Sequence, residues 1–346
     1  MSNSVQKKPS KKTTVLYIAI IAVIIFGVAV YISLKYDAVE VMSTIQNIDP
    51  VFVLLGISMI FVQLYSEAGC IKLLFKVLGK KISFSAASGY AGTDLLYSNI
   101  SPAQLAGLPA AGYSMHKDGI DAASACSVLA LYSMCNRIAV VIIASASVIV
   151  FPIILNAGNA LFMSLFIYGA IANLAIVGLF AVTIFAPAFA RKLIPGTAVF
   201  LRRFKFLHIT DKTVENAKNS AEEYIAASKI MRHAPFTVLL VLFICIFKRI
   251  ANFAIVYFTY LAFGLYHEGF TYIIALQSVL AVSAESVPIP GSAGVSESVF
   301  TVLYSGVFGP RLYIAAMIVT RFLNFFSLLV ISGIYALIQS LLRKKR

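Results

Sequence analysis

Eight charged residues lie inside long apolar stretches of this sequence, where ionic side chains are rare. On membrane-insertion scales, a charge at the centre of a spanning helix costs roughly 2.5–3.5 kcal/mol, so each one needs a partner or a water-filled cavity. Arginines in such a place can hold a phosphate through paired hydrogen bonds, and carboxylates can balance charge or carry a proton. The eight residues are Glu67, Asp94, Arg137, Lys248, Arg249, Glu285, Glu297 and Arg321.

Two short segments interrupt the same apolar sequence with residues that break a membrane helix. Pro288–Gly294 contains two prolines and two glycines, and Asn99–Pro102 ends in a Ser-Pro pair. Non-helical backbone is tolerated at membrane depth only beside protein or a water-filled cavity, so both segments should line a cavity. Ser101 before Pro102 predicts the start of a short helix there. The glycines after Pro290 should let backbone N–H groups at a helix start approach a phosphate closely.

The predicted cavity draws on both segments and on the polar side chains near them. The four histidines have no metal-ligand spacing and no GxxxxGK[ST] loop is present, so no catalytic residue, metal or cofactor is predicted. The residues expected to bind a lipid headgroup are Asp94, Asn99, Ser101, Pro102, Gln104, Asn136, Arg137, Arg249, Asn252, Glu285, Pro290, Gly291, Ser292, Gly294, Glu297, Arg321 and Asn324.

Structural ion pairing is the alternative explanation for these charges. Under this hypothesis, Asp94 pairs with Arg137 and Glu297 pairs with Arg321 without binding any ligand. Lys248 is then either structural or a residue whose ammonium group reaches the membrane surface.

The composition is typical of a polytopic membrane protein. Of the 346 residues, 60% are hydrophobic and 12% are charged, and several apolar runs reach the roughly 20 residues that a span requires. The net charge of +14 comes from basic clusters beside these runs. That pattern indicates positive-inside topology and contact with anionic lipid, and it argues against nucleic acid as a partner. The four cysteines lack the spacing of a disulfide framework or a zinc site.

The charge distribution predicts an all-α membrane domain over residues 15–342, with six spans and two re-entrant hairpins. The hairpins are Ile82–Met115 and Phe270–Gly306, with their tips at Ser101–Pro102 and Pro288–Gly291. Both termini are then cytoplasmic, together with a disordered basic tail (1–14), a basic loop (188–235) carrying a helix at Asp211–Met231, and a basic end (343–346). The spans are expected at about Val15–Leu34, Val51–Leu74, Ala122–Val150, Ala160–Pro187, Phe236–Phe263 and Leu312–Leu342.

The two halves of the chain resemble each other. Pro102 is separated from Pro290 by the same number of residues as Asn136 is from Asn324. Residues 51–150 and 236–342 each form a span, a hairpin and a span, and the charges make them run in opposite directions. This predicts an inverted-topology repeat with the substrate site between the repeats. Chance matching of apolar sequence is the alternative.

Three motifs resemble those of the lysylphosphatidylglycerol synthase transmembrane family, also called the flippase-like family. Pro290–Glu297 is similar to its PGGxGxxE signature, and Asn99–Gly107 with Tyr113–Ile120 is similar to its TPxxxGG…YxxxKxGI region. The family includes the membrane half of multiple peptide resistance factor, so the resemblance implies movement of aminoacylated phosphatidylglycerol to the outer leaflet and a role in antimicrobial peptide resistance. The family's transferase is a separate C-terminal soluble domain. We expect this chain, which ends at Arg346, to lack that domain and not to be an enzyme.

A lipid flippase is the interpretation that joins these features. The three arginines named above would attract the phosphate, and Asp94 and Glu297 would balance charge or contact a cationic headgroup. Without an ATP-binding motif, movement should be downhill or coupled to an ion, with Asp94, Glu285 or Glu297 as proton carriers.

Two other functional classes stay open at this stage. One is a membrane enzyme or enzyme subunit that acts on a lipid or polyprenyl-linked substrate, and the other is an ion-coupled solute transporter. The expected partners are membrane phospholipids, with a homo-oligomer and a separate lipid-modifying synthase as further hypotheses. The expected location is the cytoplasmic membrane of a prokaryote.

Overall fold

The computed structural model describes residues 38–156, 159–201 and 211–343. Every regular element in these ranges is a helix, and the ranges contain no strand. The all-α prediction is therefore confirmed for these residues. The predicted tail (1–14), the first predicted span (15–34) and residues 344–346 lie outside the described residues. The chain divides into two units, Met1–Ile48 and Asp49–Arg346, and helix α1 (Ala38–Gln46) is the described part of the first.

The second unit contains all the other described helices. In chain order they are α2 (Pro50–Val77), α3 (Phe84–Ile100), α4 (Gly107–Lys117), α5 (Ala122–Val150), α6 (Ile153–Asn156), α7 (Ala160–Phe185), α8 (Pro187–Leu201), α9 (Asp211–Arg232), α10 (Pro235–Ala262), α11 (Phe270–Glu285), α12 (Val295–Arg321), a π-helical segment (Phe322–Ser327) and α13 (Leu328–Arg343).

Five helical stretches among the described residues are long and apolar enough to cross a membrane, so the chain is a polytopic membrane protein. The last stretch joins two predicted elements, the outgoing arm of the second hairpin and the sixth span. It bends at Gly309, whose φ of 75° and ψ of 165° are not helical, and Pro310 follows it. The five stretches are Pro50–Val77, Ala122–Val150, Ala160–Phe185, Pro235–Ala262 and Val295–Leu342.

Capping side chains define where several of these helices begin. Asp49 Oδ1 accepts a hydrogen bond from the Val51 amide at 2.8 Å, and Pro50 occupies the first helical position of α2. Asp121 Oδ2 accepts from the Ser124 amide at 2.8 Å at the start of α5. Each cap satisfies an amide that has no partner within the helix. The spans predicted at Val51–Leu74 and Ala122–Val150 therefore start close to the first residues of the observed helices α2 and α5.

Glycines let neighbouring helices approach each other closely. A methyl group on Gly92 of α3 would lie 2.9 Å from the Ser332 carbonyl oxygen of α13. A methyl group on Gly169 of α7 would overlap the Val282 carbonyl oxygen of α11. Membrane helices gain little from excluding water from each other, so close van der Waals packing of this kind holds them together.

Two large apolar clusters, with several smaller ones beside them, fill the interior of the described part of the second unit. The first is built by α2, α3, α4, α5 and the start of α10, with Phe75, Tyr90 and Tyr132 among its fully buried side chains. The second is built mainly by α10, α11 and α12, where Phe300 stacks on Tyr304 with ring centroids 4.5 Å apart. Helices α2 and α10 pack along each other and so connect the two clusters.

Two pairs of short helices are joined by non-helical turns. The first hairpin consists of α3, the turn 101–106 and α4, and the second consists of α11, the turn 286–294 and α12 up to Gly309. The turns contact each other, because Pro102 and Pro290 form an isolated antiparallel bridge. Ala103 and Gln104 in the first turn have positive φ values of 51° and 59°.

The prediction that a helix starts at Ser101–Pro102 is therefore wrong. Ser101 instead ends α3 in an extended conformation, and α4 begins at Gly107. The Ser101 hydroxyl still acts as a cap acceptor, but it receives the amide of Ala106 at 3.0 Å across the turn. The backbone of Pro102 is paired with the backbone of Pro290, and this pairing prevents a helix from starting at Pro102.

Helices α8 and α9 lie in the basic region predicted as a loop, and α9 covers the stretch predicted as helix. Arg191 donates to both carboxylate oxygens of Glu222, at 2.6 and 3.0 Å. These hydrogen bonds hold the pKa of the exposed Glu222 carboxyl below its ordinary value. Tyr224 of α9 donates to Thr183 of α7 at 3.2 Å, which fixes α9 to the spanning helices.

Candidate functional site

A polar cavity of ≈ 190 Å³ lies between the two turns and the helices α2, α3, α5, α10, α11 and α12. A single buried water needs roughly 10–15 Å³, so the cavity has room for a polar headgroup or many waters. Most of the predicted site residues line it, whereas Pro102, Arg137, Pro290 and Gly294 do not. The predicted residues in the lining are Asp94, Asn99, Ser101, Gln104, Asn136, Arg249, Asn252, Glu285, Gly291, Ser292, Glu297, Arg321 and Asn324.

One side of the cavity is acidic. Glu67 of α2 is fully buried, and its Oε2 accepts a hydrogen bond from Lys248 Nζ at 2.5 Å. Lys248 Nζ also donates to the Tyr132 hydroxyl at 2.5 Å. The carboxyl of Asp94 lies in the same lining, interacts electrostatically with that of Glu67, and accepts a hydrogen bond from the Ser98 hydroxyl at 3.1 Å. Two carboxyl groups therefore share one ammonium group, which we call the acidic cluster (Glu67, Asp94, Lys248, Tyr132).

A second part of the cavity wall is basic. Arg249 Nη1 donates to both carboxylate oxygens of Glu285, at 2.9 and 3.2 Å, and Arg249 Nε donates to Asn136 Oδ1 at 3.1 Å. Arg137 lies behind this pair, with its Nη1 4.0 Å from Glu285 Oε2 and 3.2 Å from Asn173 Oδ1. Two guanidinium groups thus share one carboxylate, which we call the basic cluster (Arg137, Arg249, Glu285, Asn136, Asn173).

The second turn is held by the ion pair between Arg321 and Glu297. Arg321 Nε donates to Glu297 Oε1 at 2.5 Å, and its Nη1 donates to the Gly291 carbonyl oxygen at 3.0 Å. Arg321 also contacts the Ser296 hydroxyl. The other oxygen of Glu297 accepts from the Gly294 amide at 2.7 Å. The amide at this helix start, which we predicted to face a phosphate, is therefore occupied by the protein's own carboxylate.

Amide side chains complete the lining between the two charged clusters. Asn252 Nδ2 donates to Gln63 Oε1 at 3.0 Å and to Asn324 Oδ1 at 3.4 Å. Tyr304 donates its hydroxyl to Gln277 Oε1 at 3.1 Å. The Asn252 contacts link α10 to α2 and to the π-helical segment, and the Tyr304 contact links α12 to α11.

Several buried polar atoms of the lining have no hydrogen-bond partner within the described part of the protein. Gln63 Nε2 and Glu67 Oε1 lie one helical turn apart on α2, and Thr320 Oγ1 lies on α12. These three side chains are 2%, 0% and 7% exposed. Buried polar groups in proteins are nearly always hydrogen-bonded, so these atoms offer hydrogen-bonding positions for a ligand or for water.

The structure confirms one of the two predicted ion pairs and contradicts the other. Glu297 pairs with Arg321 as the alternative hypothesis required, but Asp94 does not pair with Arg137. Arg137 instead donates a hydrogen bond to Asn173 of α7 at 3.2 Å. The idea that Lys248 reaches the membrane surface is also wrong, because Lys248 is 6% exposed and bonded to Glu67.

Sequence reasoning left part of the cavity out of the predicted site. The sequence predicts Glu67 and Lys248 as intramembrane charges outside the site and assigns no role to Gln63, yet all three residues line the cavity. Their signal was present in the sequence, because Gln63 and Glu67 are four residues apart and so share one face of an apolar helix. Among the described residues, no group of three or more His, Cys, Asp or Glu side chains could hold a metal ion.

Comparison with known proteins gives one family match. The family described as the lysylphosphatidylglycerol synthase TM region matches residues 16–332 of the chain. No curated protein matches the sequence. The family description relates this chain to the membrane part of lysylphosphatidylglycerol synthesis.

Proposed function

Because the chain belongs to the family of the lysylphosphatidylglycerol synthase transmembrane region, we propose that it moves a phospholipid between the two leaflets of a membrane. The headgroup would cross through the polar cavity while the acyl chains stay in the lipid. The observation that carries this proposal is a charged, partly unsatisfied cavity enclosed by apolar helices. Ionisable residues at membrane depth are expensive and usually mark a substrate pathway.

The distribution of charge indicates how the headgroup would lie. The basic cluster has one guanidinium more than its single carboxylate neutralises, and the acidic cluster has one carboxyl more than its single ammonium neutralises. A headgroup with a phosphate and an amine would place the phosphate against Arg249 and the amine against Glu67 and Asp94. Lys248 and Arg249 are adjacent on α10, so one helix contributes to both ends of this arrangement.

The topology that we propose is the one predicted from the charges. The first and second hairpins would be re-entrant and belong to an inverted repeat, with both termini in the cytoplasm of a prokaryote. Helices α3 and α11, of 17 and 16 residues, are shorter than the roughly 20 residues that a straight span requires. The bridge between Pro102 and Pro290 supports tips that meet inside the membrane.

Arg249→Gln tests the proposed function in proteoliposomes. Movement of fluorescent phosphatidylglycerol and of its lysyl derivative should fall by about tenfold, equivalent to ~1.4 kcal/mol of headgroup interaction. Arg137 remains beside Glu285 in this variant, so the fold should be retained. Arg191→Gln is the matched control, since Arg191 pairs with Glu222 on the exposed helices and should not affect movement.

Two outcomes would contradict the proposal. Equal lipid movement with and without the protein, under imposed ion gradients as well, would remove lipid translocation and favour a solute transporter. Product formed from a lipid substrate in detergent, where no leaflets exist, would make the chain an enzyme or enzyme subunit. We propose that it is not an enzyme, and that a separate synthase supplies the aminoacylated lipid.

A further inference from the structure

We propose that Glu67 and Asp94 together bind one exchangeable proton, and that release of this proton is coupled to entry of the headgroup amine. The inference rests on the proposed function and adds the source of energy for it. The feature that carries it is the acidic cluster on the wall of the cavity.

The geometry of the two carboxyl groups calls for a proton between them. Both carboxyl groups lie in the lining of the same cavity and interact with each other, and neither can donate a hydrogen bond to the other while both are ionised. Glu67 Oε1 has no donor within the described part of the protein. A proton on either carboxyl would supply that donor, and Gln63 Nε2, also without a partner there, lies one helical turn away on α2.

The charges around the pair lead to the same conclusion. Glu67 is fully buried and Asp94 is 7% exposed, so two negative charges beside a single ammonium group would repel each other at low dielectric. One proton makes the cluster neutral. The titratable and charged groups that bear on the pair from α2, α5 and α10 are Cys70, Tyr132, Arg137, Cys245 and Lys248.

The other carboxylates of the cavity are poor proton carriers. Glu285 accepts hydrogen bonds from Arg249 and lies 4.0 Å from Arg137, so two guanidinium groups already contact or neighbour its carboxylate. Glu297 is held by Arg321 and by the Gly294 amide. Of the three carriers predicted from the sequence, Asp94 is thus retained, with Glu67 as its partner.

The proton and the headgroup amine compete for one negative charge of the acidic cluster, and this competition couples their movements. When the proton leaves the cluster for water in the cavity, the cluster gains a net charge of minus one and can bind the ammonium group of a headgroup. When the amine leaves, a proton can return. The exchange moves one cation in each direction at this cluster, so a pH gradient can drive the lipid without ATP.

Lipid movement under imposed pH gradients tests the coupling. Proteoliposomes are held at zero membrane potential with potassium and valinomycin, and a fluorescent lysyl derivative of phosphatidylglycerol reports leaflet exchange. The wild type should accelerate several-fold with one direction of the gradient and slow with the other. Asp94→Asn, which keeps the Glu67–Lys248 pair, and Glu67→Gln should both move the lipid more slowly than the wild type, because each removes a carboxylate that contacts the amine. The movement that remains should no longer depend on the direction of the pH gradient. Glu222→Gln, on the surface helix α9, is the control and should behave as the wild type.

The outcomes separate this inference from the proposed function. Lipid movement that ignores the pH gradient, or follows a sodium gradient instead, overturns the coupling and leaves translocation intact. Absence of lipid movement by the wild type overturns translocation and coupling together. Infrared difference spectra of the purified protein then test the proton site alone. The band of a protonated carboxyl should be present at neutral pH and absent in the Glu67→Gln/Asp94→Asn double variant, and its absence in the wild type overturns the site.

Discussion

The two turns that meet at the Pro102–Pro290 bridge are held by different chemistry. The second turn is fixed by the charged Arg321–Glu297 pair, which also satisfies backbone groups at Gly291 and Gly294. The first turn has no charged side chain of its own and relies on the Ser101 hydroxyl and on backbone contacts. Two turns at corresponding positions therefore differ in how firmly they are held. We expect the second turn to be the fixed wall of the cavity and the first to be the part that moves.

Joining the two turns covalently should have the largest effect. Residues opposite each other in an antiparallel bridge have Cα atoms roughly 4.5–5.5 Å apart, within the range of a disulfide. The Pro102→Cys/Pro290→Cys variant, in a background without the four native cysteines, should lose lipid movement on oxidation and recover it on reduction. Full movement in the oxidised protein would show that the turns need not separate. Either single cysteine variant is the control, and it should not respond to oxidant.

Removing the charge that fixes the second turn should have the next largest effect. Arg321→Ala leaves the Glu297 carboxylate without its guanidinium partner. Loss of one member of a fully buried pair costs about 3–5 kcal/mol, and we expect a smaller cost here because the two side chains are 23% and 17% exposed. Thermal unfolding in detergent should show this loss of stability, and Arg321→Gln/Glu297→Gln should recover part of it. Arg311→Ala, at an exposed position on the same helix, is the matched control. A loss as small as that of Arg311→Ala would mean that the second turn does not depend on the pair.

A methyl group beside Asp94 should disturb the first hairpin more locally. A Cβ atom at Gly107 would overlap the Asp94 carboxylate and the Ser98 hydroxyl and would lie 2.6 Å from the Asp94 carbonyl oxygen. Overpacking of this kind costs about 1–3 kcal/mol. Gly107→Ala should therefore slow lipid movement and weaken its dependence on a pH gradient. Gly112→Ala on the same helix meets only Leu129, at 3.5 Å, and should leave both unchanged. Equal behaviour of the two variants would separate Asp94 from transport.

Local signals in the sequence predicted the elements of the fold well. Proline and glycine marked both turns, and the apolar runs placed the starts of two spans at Val51 and Ala122, close to the observed helix starts at Pro50 and Ala122. The Ser101–Pro102 signal failed because a contact with Pro290, in the other half of the chain, decides the backbone there.

The partners of the charged residues were harder to predict. Glu67 and Lys248 are 181 residues apart in sequence, and only the packing of α2 along α10 brings them together. Asp94 was assigned the wrong partner because the charges alone do not show that Arg137 faces α7. Spacing within one helix identifies a face, but it carries no information on which helix covers that face.

The smallest effect that we expect distinguishes the two turns through one hydroxyl in each. Ser101 Oγ accepts from the Ala106 amide at 3.0 Å in the first turn, and Ser292 Oγ donates to the Ala284 carbonyl oxygen at 2.8 Å in the second. Losing a typical hydrogen bond costs about 1 kcal/mol. Ser101→Ala should cost the full amount and increase hydrogen exchange in residues 101–106, because no charged group substitutes for it. Ser292→Ala should have less effect on its turn, which Arg321 still holds. An equal increase in hydrogen exchange in the two turns, each measured in its own serine variant, would contradict the expectation that the second turn is fixed and the first turn moves.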